Sequence, residues 1–114
     1  MKNHFLPETL LQSLLYLNHQ ERNILTMMYP YLTLNDDTEI VHSEILSDGR
    51  VKVYIEKPDE KDGFHHATCY LPNYEWEDIS GFSDEEMDFF KKLIINNAHV
   101  IIEFSQEGKF TKAS

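Results

Sequence analysis

The sequence predicts an α+β fold: an N-terminal helical region, a three-stranded antiparallel β-meander, and a long C-terminal helix packed on the sheet. Three observations carry this. Apolar residues near the N-terminus recur at three and four positions. Residues 51–57 alternate with period two after an Asp48-Gly49 turn. Ser83 and Glu86 have the spacing of a capping box at the head of an apolar stripe that keeps helical period to Phe104.

The helical region is read over residues 1–34. Leu10, Leu14, Leu17, Leu25, Met28 and Leu32 share one helix face, Pro7 suits a first turn and Pro30 stops the pattern. Glu21 falls on the same stripe, and Asn18 with Glu21 resembles a capping pair, so one helix and two shorter ones fit equally well. Asn35, Asp36 and Asp37 form a turn cluster. The meander is read over residues 38–71. Val51, Val53 and Ile55 share a face with Ala67, Cys69 and Leu71 of the third strand. Lys52, Tyr54 and Glu56 lie on the other face, which is expected to be wet.

The last helix is read over residues 83–107, followed by a loose tail at 108–114. Phe82 and Met87 stand at the positions of a hydrophobic staple, and Asp84, Glu85 and Glu86 complement the helix dipole. A fourth strand over residues 99–105 competes, but the continuous face formed by Met87, Phe90, Leu93, Ile94, Ala98, Ile101 and Phe104 favours the helix. Ile95 and Ile102 lie off that stripe and make either a wide core contact or a seam for a partner helix.

The 114 residues suit one domain, and 41 % apolar with 26 % charged residues is globular composition. The lone cysteine, Cys69, and an N-terminus without the pattern of a secretion signal point to the cytoplasm. No apolar run is long enough to span a membrane. Twenty acids against ten bases give a formal charge of −10, which disfavours direct contact with nucleic-acid phosphates and suits a basic protein partner.

Known catalytic and cofactor motifs are missing. Four glycines make no phosphate loop, no nucleophile elbow occurs, and no cofactor is expected. Asp59, Asp62 and Gly63 suggest a calcium loop but lack its alternating ligands. What capping chemistry does not explain is Tyr74, Glu75, Trp76, Glu77 and Asp78, two aromatics among acids, which form the candidate partner-binding residues. Trp76 either closes the core with Ile79 and Phe82 or stands out as an anchor.

The reading is therefore a small acidic, non-enzymatic interaction or regulatory module, with a homodimer compatible with an open sheet edge. The alternatives are a small-ligand or metal-binding domain using His42, His65, His66 and Cys69, and a small hydrolase using Cys69 or the acidic loop.

The stretch Gly81-Phe82-Ser83 followed by Glu86-Met87, opening a helix that contains Asn97 and Glu103, resembles small bacterial proteins carrying an uncharacterised domain. In those proteins a Gly-Phe-Ser-x-x-Glu-Leu start follows a short sheet, and their genes often lie near toxin–antitoxin-like or mobile-element genes. The resemblance covers the last third of the chain and implies a long helix, while the activity of those proteins is itself unsettled; it carries over no functional residue. An antitoxin- or inhibitor-like version of the interaction module would use the −10 charge against a basic partner.

Overall fold

The computed structural model describes residues 27–113, with side chains through residue 106. Five strands, β1 (Met28–Thr33), β2 (Glu39–Ser43), β3 (Val51–Asp59), β4 (Gly63–Leu71) and β5 (Glu75–Ser80), precede one helix, α1 (Asp84–Ala113). The strands form a single antiparallel sheet in the order β1-β2-β3-β4-β5, so β1 and β5 are its edges.

This corrects the expected three-stranded meander behind a helical region. The first 26 residues of that helical region lie outside the described residues. Its last part, Met28–Thr33, is an edge strand. Met28 and Leu32 are four apart, a spacing that a helix and a strand both satisfy, so that pair could not discriminate. Tyr29, Tyr31 and Thr33 favour the strand. Pro30 is tolerated because β1 is an edge and its register shifts between Pro30 and Leu32.

The fifth strand was also illegible. Glu75–Ser80 carries acids that strands disfavour, and its alternation breaks where Asp78 takes φ 59 beside a register shift in the β4 pairing. The turns behave as their residues require: Gly49 sits at φ 88 while Leu46 and Arg50 close the β2–β3 hairpin through a Leu46 N–H to Arg50 carbonyl bond of 2.8 Å.

Helix α1 runs through residues 99–105, as the continuous apolar face predicts, and its backbone continues past Gly108, where a stop was expected. Its capping box is formed: Glu86 N–H donates to Ser83 Oγ at 3.1 Å, and Ser83 N–H donates to Glu86 Oε1 at 2.8 Å. Lys57 reaches from β3 to Glu86 at 3.6 Å and to Asp36 at 3.5 Å, tying the β1–β2 turn to the helix start.

The core lies between α1 and one sheet face. Met87, Phe90, Ile94, Ala98 and Ile101 meet Ile40, Val51, Val53, Ile55, Ala67, Cys69 and Leu71. Ser105 rather than Phe104 continues the buried stripe, and Phe104 is exposed. Ile94→Ala and Ile101→Ala should each cost about 2–5 kcal/mol, measured by chemical denaturation, because both side chains are fully enclosed. Ile95 is exposed, and Ile102 is half-buried against the core.

The second sheet face departs from expectation. Lys52, Tyr54 and Glu56 are buried rather than wet, with Val41, Thr68 and Tyr70 on neighbouring strands. The central strand is therefore enclosed on both faces, as the unbroken burial of Val51 through Glu56 shows.

Candidate functional site

The five candidate residues fall on the β5 edge and the turn before it. The register sets Trp76 opposite Cys69, Glu75 opposite Tyr70 and Glu77 opposite Thr68. Trp76 thus shares the helix-side face with Cys69, where it is half-buried against the core. Phe82 packs there too, edge-on to Phe90 at a ring separation of 4.8 Å. Ile79, expected beside them, is instead 46 % exposed.

Tyr74 is 39 % exposed at φ 57, at the end of the tight 72–74 turn. Glu75 accepts from Arg50 Nη1 at 3.0 Å. The same guanidinium pairs with Asp48 at 2.8 Å and lies 3.9 Å over the Tyr70 ring. Glu77 and Asp78 are exposed, and among the described residues no base pairs with either carboxylate. The Asp78 carbonyl accepts from His66 Nδ1–H at 3.0 Å, which fixes the bulge from the β4 side. The edge therefore presents Tyr74, Glu77, Asp78 and Ile79 outward, with Trp76 rooting it in the core.

The groups proposed for metal or nucleophilic chemistry are not brought together. Cys69 is completely buried, and burial, with a smaller contribution from the Glu75 charge, pushes its thiol up to about 12. A thiolate nucleophile is therefore inaccessible there. His65 and His66 point to opposite faces, as adjacent strand residues must. His66 stacks on Tyr54 at 6.2 Å on the second face.

His42 is buried on β2 among Tyr29, Tyr31 and Phe104. Its Nδ1 lies 2.9 Å from the Ser43 carbonyl and 3.2 Å from Ser105 Oγ. The Ser105 hydroxyl is spoken for by backbone carbonyls, those of Ser43 at 2.8 Å and Ile101 at 3.0 Å, and the pair is closed to solvent. It is a polar clasp between β2 and α1, not a catalytic dyad. Desolvation, opposed by the Ser43 carbonyl, lowers the His42 pKa. The unfolded chain therefore binds the proton first, and the His42 contribution to stability falls as pH drops below its unfolded value of about 6.5. His42→Gln should flatten that part of the pH–stability curve, followed by thermal melting between pH 5 and 7.

Two arrangements emerge only from the fold. Glu56 is 3 % exposed and neither carboxylate oxygen has a hydrogen-bond partner. Burial, aided by the facing Glu39 charge, pushes its carboxyl up to about 8. The second is Asp59, Asp62 and His65 in the β3–β4 hairpin, whose ligand atoms all lie within 4.8 Å of one another. In the sequence Asp59 and Asp62 stood only as part of an incomplete calcium loop with Gly63; the tight turn adds His65 to them across the hairpin end.

No helix among the described residues is long and apolar enough to cross a membrane. No family model, curated protein or solved structure matches the chain, so the functional reading rests on its own residues.

Proposed function

We propose that the protein is a non-enzymatic binding module that holds a basic protein segment along the β5 edge. The observation that carries this is the edge itself: an outer strand that exposes Ile79 beside the uncompensated acids Glu77 and Asp78, with Tyr74 exposed in the turn that leads into it. An unpaired strand edge offers backbone donors and acceptors to a second chain, and flanking aromatics supply anchors. The Asp78 bulge limits continuous pairing to the Glu75–Glu77 stretch, so side-chain contacts carry much of the recognition.

Charge chooses the occupant. With a formal charge of −10, a second copy would set acid against acid at this edge, whereas a Lys- or Arg-rich segment would be attracted. A regulator of the antitoxin or inhibitor kind, working in the cytoplasm, fits this surface.

Trp76 is the only tryptophan and reports on β5 directly. Titrating Lys/Arg-rich peptides against its fluorescence should give saturable binding that weakens at least tenfold between 50 and 500 mM salt, roughly what release of two or more charge contacts produces. Glu77→Lys with Asp78→Lys should abolish it, while Glu85→Lys with Asp88→Lys on the helix should not. Equal loss from both pairs would reduce the effect to net charge and refute a specific edge site.

A further inference from the structure

We infer that the end of the β3–β4 hairpin is a binding site for a divalent first-row transition cation, held by Asp59, Asp62 and His65. This is independent of the β5 edge. The hairpin brings one oxygen from each aspartate to the same imidazole nitrogen: His65 Nε2 lies 3.1 Å from Asp62 Oδ2 and 3.6 Å from Asp59 Oδ1. Asp59 is already oriented, because its other oxygen accepts from the Lys61 and Asp62 N–H groups at 3.0 and 2.9 Å. Its Oδ1 is thereby turned toward the histidine.

The imidazole is held from outside the hairpin as well. It lies edge-on to Phe82 with ring centroids 5.8 Å apart, and it occupies the space where a side chain at residue 81 would stand, since a Cβ on Gly81 would collide with its Cδ2 and Cγ. His65 Nδ1 is buried and has no partner, so Nε2 is the nitrogen available to a ligand, and it is aimed between the two carboxylates.

The donor set names the class of ion. Two carboxylates balance a 2+ charge; the imidazole favours a first-row ion such as Zn²⁺ or Co²⁺ over Ca²⁺, which takes oxygen ligands, while the carboxylates also suit Mn²⁺. Three protein ligands leave the remaining positions to water. The nearby Lys57 ammonium is engaged by Asp36 and Glu86, at 3.5 and 3.6 Å.

The orphaned Nδ1 sets the strength. When Nε2 coordinates the metal, the neutral ring carries its proton on Nδ1, where no acceptor waits. Ligand histidines normally have such a partner, and losing it weakens metal binding by about 10–100-fold. The site is accordingly a weak, exchangeable one.

Calorimetric titration of the metal-free full chain with Zn²⁺ and with Mn²⁺ tests this. One saturable equivalent is expected for at least one ion, weakened at least tenfold by Asp62→Asn and by His65→Gln, with the His65 Nε2 resonance shifting in ¹⁵N spectra. Asp62 is largely exposed, so Asp62→Asn tests the ligand role without disturbing the fold, which circular dichroism verifies. No saturable heat at millimolar ion, or binding that both variants retain, would overturn the assignment.

Discussion

Glu56→Gln is expected to melt well above the parent protein at pH 8 and level with it near pH 4.5. The parent holds a carboxyl on the second sheet face with both oxygens unpartnered. Burial is the main reason its pKa rises from 4.5 to about 8, and the charge of Glu39, its cross-strand partner on β2, adds to it. His66 faces it from β4, and Lys52 and Tyr54 share its face on β3.

The sign follows from proton counting. Above pH 4.5 the unfolded chain gives up the Glu56 proton while the folded chain keeps it, so folding takes up a proton and stability falls as pH rises, until about pH 8. The loss amounts to about 3 kcal/mol by pH 7. An isosteric amide that never ionises removes it, which corresponds to roughly 10 °C in melting temperature for a domain of this size. Equal melting of parent and variant at pH 8 would mean that Glu56 is ionised and compensated in the folded protein.

Gly81→Ala is expected to destabilise the protein by about 2–4 kcal/mol, from two effects that act together. Gly81 has φ 89, a conformation that L side chains rarely adopt, and the new methyl would collide with the His65 ring. The two parts separate in a double variant. Adding His65→Ala removes the clash with the ring, leaving only the tight 3.0 Å approach to the Cβ and the backbone strain, so Gly81→Ala should cost about 1 kcal/mol in that background. An undiminished cost there would assign the whole effect to φ.

The β3 and β4 face that meets α1 could be read because Val51, Val53 and Ile55 alternate cleanly and because capping residues announce α1. Both edge strands were hidden. Proline interrupts β1, and apolar positions four apart fit helix and strand alike. In β5, acids and a bulge erase the alternation.

The candidate site was legible as residue types, since Tyr74 to Asp78 stands out by composition. Its arrangement was not, because strand pairing decides that Trp76 faces the core while Ile79 is exposed. The burial of Glu56 was equally beyond reach, since Lys52, Tyr54 and Glu56 look like a solvent face by composition.

The proposed binding role of the β5 edge is tested most directly by amide hydrogen exchange with and without a saturating Lys/Arg-rich peptide. An edge amide that gains a backbone or side-chain cover exchanges more slowly. Slowed exchange confined to residues 74–80, with the exposed helix surface around Phe89 and Ile95 unchanged, is the predicted result. Protection centred on that helix surface, or none on β5, would contradict it.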